Sequence, residues 1–220
     1  MKDIVAGFIS KTDQQKIEAC VHEAEARTRG EIVVMAVPAS DHYTMAGWRG
    51  ATAFALPVAL ALTPLIGGLF WAGAFNLWVF LATLAPFWAG FHRAVTRVPV
   101  VKRWFIRASE MEVAVKAAAY NHFFRKGLYR THEETGVLIY VSVFERRVWV
   151  LGDRGVNAKI PETYWQGVVA ALIQAIRLGR PAEGICQAVS DVGRILQEKL
   201  PVRSGDVDEL ENVIVEGRSV

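Results

Sequence analysis

The sequence predicts an α/β domain interrupted by a two-helix transmembrane hairpin. Three features carry this. Short β-branched runs at Glu31 to Val37, Gly136 to Phe144 and Val148 to Leu151 are separated by segments with helical periodicity, the pattern of a sheet covered by helices. The runs lack the polar alternation of a half-wet sheet, which places helices on both faces. Finally, forty-two consecutive residues, Gly50 to Phe91, contain no Asp, Glu, Lys, Arg or His, and one spanning helix needs only about 20 apolar residues.

Taken in order, Thr12 followed by Gln15 is a capping-box pattern. It opens a helix to about Arg29 with Ile17, Val21 and Ala24 on one face. Gly30 ends it, and the Glu31 to Val37 strand follows. Beyond the uncharged run, Ser109 to Arg125 reads as a helix with Val113, Ala117, Tyr120 and Phe124 inward, stopped by Gly127. The tight charged turn Glu145-Arg146-Arg147 joins the second and third strands into an antiparallel hairpin. Pro161 and Pro181 each begin a helix, to about Leu178 and Leu200, since proline's fixed φ suits a first helical turn. Val202 to Val220 is acidic and aperiodic and is expected to be a disordered tail, with Leu210, Val213 and Val215 as the residues able to dock.

The uncharged run divides at its weakest stretch, Gly67-Gly68 through Gly73 and Asn76, into spans of Ala51 to Phe70 and Ala74 to Phe91. Pro57, Pro64 and Pro86 are tolerated in a span because neighbouring groups re-satisfy the freed carbonyls. The alternative, a hairpin buried in a soluble core, conflicts with the length of the stretch. Arg49 precedes the hairpin, and Arg93, Arg97, Lys102, Arg103 and Arg107 follow it, while the intervening turn carries no charge. Positive residues near span ends set topology, which predicts cytoplasmic termini on both sides. Arg49, Arg93, Arg97, Lys102 and Arg103 form a collar that serves this topology signal and can also meet anionic lipid heads. Trp48, Trp71, Trp78 and Trp88 fall near the expected headgroup levels.

The organisation expected is therefore one domain built from residues 1–47 and 94–201, a hairpin at 48–93, and a tail at 202–220. The net charge of +3 is concentrated beside the hairpin, so it is not a nucleic-acid footprint. Ile4 to Ile9, behind Asp3, is too short for a signal peptide. Cys20 and Cys186 each sit on a predicted helix with no neighbouring Cys or His at ligand spacing, and are expected to be reduced core thiols.

Four stretches carry a family resemblance: Thr28-Arg29-Gly30-Glu31 entering a strand, the strand Gly136 to Ser142, Glu145-Arg146-Arg147-Val148, and Leu151-Gly152-Asp153-Arg154-Gly155. Together they resemble the TPM-domain family of bacterial membrane proteins and thylakoid lumen proteins, and most closely a branch with a membrane hairpin just after the first strand. The resemblance implies an α/β/α sandwich with a small mixed sheet. It also implies a role in repair or assembly of membrane complexes, or a weak acid phosphatase activity with bound calcium.

Among candidate site residues, Asp153 follows the third strand between Gly152 and Gly155, which would let backbone approach a ligand closely. The resemblance places this Asp-x-Gly position in the proposed metal or catalytic site; the alternative is an Asx-turn. A further family acid follows a Leu-Pro step, and its nearest equivalent here is Glu162 in Ile160-Pro161-Glu162, where the helix dipole stabilises a carboxylate in any case. Glu31 would converge with Asp153 if their strands are neighbours, and otherwise pairs with Arg29 or Arg154. Calcium needs several oxygen ligands, and Glu31, Asp153 and Glu162 are the set on offer.

Other chemistries have less behind them. The five histidines show no metal spacing, Ser142 lacks the G-x-S-x-G elbow, and no phosphate-binding glycine loop is present. The Glu145-Arg146-Arg147 turn reads as solvated. Two functions remain: a membrane-anchored interaction or assembly module that meets the bilayer and a membrane-protein partner, and a divalent-metal-dependent acid phosphatase. Neither uses a nucleotide or nucleic acid.

Overall fold

The computed structural model describes residues 5–71, 76–131, 134–201 and 213–215. In chain order the elements are α1 (Lys11–Glu25), β1 (Ile32–Val37), α2 (Thr44–Leu69), α3 (Leu77–Arg97), α4 (Pro99–Trp104), α5 (Ala108–Arg125), β2 (Val137–Ser142), β3 (Arg147–Gly152), α6 (Arg154–Asn157), α7 (Glu162–Arg177), α8 (Pro181–Lys199) and β4 (Val213–Val215). Two compact units result: Met1–Asp41 with Glu112–Val220, and His42–Met111 between them.

The first unit is a mixed sheet in the order β3-β2-β1-β4. β1 runs parallel to β2 and β4, and β2 antiparallel to β3. Every residue of β1 and β2 is buried, as expected of strands without polar alternation. Strand parity sorts their side chains. Ile32, Val34, Val137 and Ile139 pack with α1, α7 and α8, whereas Val33, Met35, Leu138 and Tyr140 pack with Val115, Ala119 and Phe123 of α5. The helices thus form a layer on each face.

Four local expectations are corrected. The capping box of α1 is Ser10 with Asp13, not Thr12 with Gln15: the Ser10 hydroxyl accepts the Asp13 N–H at 3.1 Å and the Asp13 carboxylate accepts the Ser10 N–H at 3.1 Å. On α5 the inward face is Val115, Ala119 and Phe123, while the expected face is exposed, Val113 at 68% and Phe124 at 58%. Cys20 and Cys186 are not free thiols but a disulfide joining α1 to α8, with Cα atoms 5.6 Å apart. In the expected tail, Val213–Val215 dock as β4 beside β1; its other residues, 202–212 and 216–220, lie outside those described.

The second unit is a helical hairpin. Gly47, Ala51, Ala55, Ala59, Thr63 and Gly67 recur every four residues on α2 and are all buried. Small residues let helix backbones approach closely: a Cβ at Gly47 would lie 2.8 Å from Thr96, and one at Gly50 2.9 Å from Val95, both on α3. Among the described residues only α2 is long and apolar enough to cross a membrane, by length and composition. α3 falls short because His92, Arg93 and Arg97 occupy its last turns, ending its uncharged part at Phe91. Gly73, in the expected turn, lies outside the described residues.

Candidate functional site

The three acids proposed as metal ligands occupy two places. Ile32 is level with Val137, and Val137 with Gly152. Glu31 and Asp153 are therefore level with Gly136 at one end of the sheet, on either side of β2. Two strand spacings separate them, about 9.5 Å, and pleat parity turns both toward the α5 face. The space between is filled by protein: a Cβ on Gly136 would lie 2.6 Å from the Leu128 carbonyl oxygen, so only glycine fits beneath the 3₁₀ turn Leu128–Arg130. Glu162 opens α7 and is exposed elsewhere. Among the described residues no three His, Cys, Asp or Glu side chains are placed to share a metal ion. Glu31, Asp153 and Glu162 thus do not fit a three-carboxylate calcium centre, because the strand between Glu31 and Asp153 and the start of α7 hold them apart.

Asp153 caps α6. One of its carboxylate oxygens accepts the Arg154 N–H at 2.7 Å, and the other is buried without a hydrogen-bond partner. Burial pushes its pKa above the ordinary Asp value; the backbone hydrogen bond from Arg154 opposes this and the Glu134 charge adds to it. The glycine thought to admit a ligand does not, since the position of a Cβ on Gly152 is 3.0 Å from both Asn157 Oδ1 and Val156 Cγ1 of α6. The Asn157 side chain also donates to the Gly152 carbonyl.

At the other end of the sheet lies a polar cluster that sequence reasoning missed. Glu145 is 1% exposed, not solvated. Its carboxylate accepts the Ser40 N–H at 2.9 Å and the Ser142 hydroxyl, and the Ser40 hydroxyl donates to Ser142 Oγ at 2.8 Å and lies 3.2 Å from the Tyr140 hydroxyl. The His122 ring stacks on Tyr140 with centroids 5.7 Å apart. The signal was present in the pattern: an acid three residues after a strand serine can fold back onto it, as in other local side-chain turns.

A third feature follows the outer edge of β3, a groove of about 340 Å³ lined by Val148 and Val150 and by Glu162, Trp165, Val169 and Ile173 of α7. Its volume is that of a small ligand site. The buried indole N–H of Trp165 meets no acceptor. Arg147 pairs with Glu112 at 3.5 Å on the rim, whereas Glu162 enters no ion pair among the described residues. The proposed collar gathers at one end of the hairpin unit: Arg49 bonds Glu110 at 2.9 Å and Lys102 bonds the His42 carbonyl at 2.5 Å, while Arg93 and Arg97 are exposed.

These features define a class, an α/β domain with helices on both sheet faces and a helical hairpin inserted after its first strand. Residues 98–195 match the TPM domain model, so the resemblance read from the sequence is found again over that segment. Among solved structures, the NMR structure of the BA42 protein from the psychrophilic bacterium Bizionia argentinensis is similar, with a TM-score of 0.58 and 18% identity over 95% of this chain and 96% of that one. This likeness is one of fold. No curated protein matches the chain.

Proposed function

We propose that the protein is a membrane-anchored interaction or assembly module for membrane complexes, held by two spans with both termini in the cytoplasm. The observation that carries the reading is the inside-out build of the hairpin. Small residues fill its interior, and large apolar ones face outward, among them Leu65, Leu69, Phe70 and Trp78. Exposed apolar surface on this scale marks a membrane or partner contact. The flanking cations support the orientation. Membrane pelleting in sodium carbonate tests the anchor: the chain stays with the bilayer, and release into the supernatant would sink the proposal.

One observation favours the second reading, a divalent-metal-dependent acid phosphatase: the buried, unpartnered oxygen of Asp153. Hydrolysis of p-nitrophenyl phosphate by the detergent-solubilised protein separates the two. The module reading expects no turnover that Asp153→Asn abolishes.

A further inference from the structure

β3 is an edge strand, and its free edge has a defined hydrogen-bonding pattern. The Asp153 N–H donates to the Gly136 carbonyl at 2.8 Å, so hydrogen-bonded pairs in this antiparallel ladder fall at Gly136/Asp153 and every second pair from it. These include Leu138/Leu151, Tyr140/Trp149 and Ser142/Arg147. Val148 and Val150 therefore turn their N–H and C=O groups away from β2. They turn them toward the groove that both residues line, and no other strand takes them up among the described residues. Only extended backbone matches two such donor–acceptor sets spaced two residues apart.

The groove adds apolar surface and charge. Trp165, Val169 and Ile173 present one wall from α7, and Val115 of α5 contributes across the strand edge. Two carboxylates, Glu112 and Glu162, stand on the rim against one guanidinium, Arg147, and the guanidinium is engaged with Glu112. The Lys116 ammonium lies over the ring of Trp149, 5.5 Å from its centroid, and Glu162, without an ion pair among the described residues, is the carboxylate left to meet an incoming cation.

We propose that this groove binds an extended peptide segment of another protein, added to the sheet as a strand beside β3, with a Lys or Arg of that segment against Glu162. This rests on the interaction-module reading and names the chemistry of the partner. Backbone pairing supplies strength without sequence preference. Alternate apolar side chains against Trp165, Val169 and Ile173, and the cation at Glu162, supply the preference.

The test uses the full chain in phosphatidylcholine nanodiscs and a dye-labelled heptapeptide, Val-Thr-Val-Lys-Val-Thr-Val, followed by fluorescence anisotropy. Wild type binds it saturably. N-methylation at alternate peptide residues removes the ladder donors and weakens binding by at least about tenfold. Replacing the peptide Lys by Glu weakens it about threefold, the scale of an exposed ion pair, and Glu162→Lys reverses that preference. Val169→Asp abolishes binding; because it touches partly buried surface, Glu162→Lys, on an exposed first turn, is the decisive variant. Absence of saturable binding, equal binding of the N-methylated peptide, or an unchanged charge preference in Glu162→Lys overturns the proposal. So does a wild-type dimer that binds peptide only on dissociating, which would assign the edge to a second copy. Loss of the anchor in carbonate would remove the module reading while leaving peptide binding measurable, so the two failures are distinct.

Discussion

The carboxylate of Glu145 accepts the backbone N–H of Ser40 at 2.9 Å, tying the chain just beyond β1 to the turn between β2 and β3. Ser40 lies two residues before the boundary at which the hairpin unit begins. One buried side chain thus fixes, from within the sheet unit, the point where the chain leaves it.

Glu145→Ala is predicted to cost about 2–4 kcal/mol, because the buried Ser142 hydroxyl and the half-buried Ser40 N–H lose their acceptor. That is a large part of a typical domain stability of about 5–15 kcal/mol. Glu145→Gln costs less, since one amide oxygen still accepts and the Ser142 hydroxyl can rotate to accept from the amide nitrogen. Guanidinium unfolding in detergent, followed by circular dichroism, measures both. Equal midpoints for wild type and Glu145→Ala would mean that the cluster contributes nothing.

The contrast between Glu145 and the strands explains what was legible in the sequence. β1, β2 and β3 were found to within two residues, because an unbroken β-branched run has few other uses. α5 was found but turned the wrong way. It carries two apolar stripes, Val113-Ala117-Tyr120-Phe124 and Val115-Ala119-Phe123, two residues and hence about 200° apart on a helix. Periodicity cannot choose between them. The choice is made by Met35, Leu138 and Tyr140 of the sheet, which are distant in sequence. The burial of Glu145 and the approach of Cys20 to Cys186 depend in the same way on remote partners. Of the candidate site, the position of Asp153 after β3 was legible, but its filling by α6 was not.

Asp153 gives a pH prediction. Its folded pKa is raised, chiefly by burial, so the folded protein binds this proton more tightly than the unfolded chain. The group's contribution is then most favourable at low pH and is lost as pH rises above the ordinary Asp value of about 3.9. Asp153→Asn keeps an oxygen to accept the Arg154 N–H and removes the desolvated charge. It is predicted to raise the melting temperature at pH 7 by about 1–2 °C and to have no effect near pH 3. Millimolar calcium leaves both proteins unchanged on the module reading. Stabilisation of wild type alone by calcium would point instead to an ion at Asp153.

The Cys20–Cys186 bridge and the positive flanks make opposite demands. A structural disulfide belongs to an oxidising compartment, whereas the topology proposed from the flanks would put the domain in the cytoplasm. Topology is set as the spans insert, before α1 and α8 meet, so the charges are predicted to prevail and the pair to be a dithiol in growing cells. Alkylation of denatured, acid-quenched cells without reductant should then modify both cysteines. Oxidation of the purified protein closes a long loop and should raise stability by up to about 5 kcal/mol in the chain-entropy account. Complete protection from alkylation in cells would overturn the cytoplasmic placement.

Orientation itself is the last prediction. In a Cys20→Ser, Cys186→Ser background, a cysteine replacing Trp71, which is 96% exposed just beyond α2, lies at the end of the hairpin remote from Arg49, Arg93 and Arg97. A cysteine replacing Leu178, exposed at the end of α7, reports on the sheet unit. With two spans and cytoplasmic termini, an impermeant maleimide added to intact spheroplasts labels the first and not the second, and lysis exposes both. If α2 alone crosses, the chain on its two sides is divided. The sheet unit, which contains both Met1–Asp41 and Glu112–Val220, could not then assemble unless α3 returned through the bilayer. β1 pairs with β2 across this insertion, so the sheet itself requires an even number of crossings. Labelling of Leu178→Cys from outside, with Trp71→Cys protected, would invert the topology and show that the six flanking cations do not decide it.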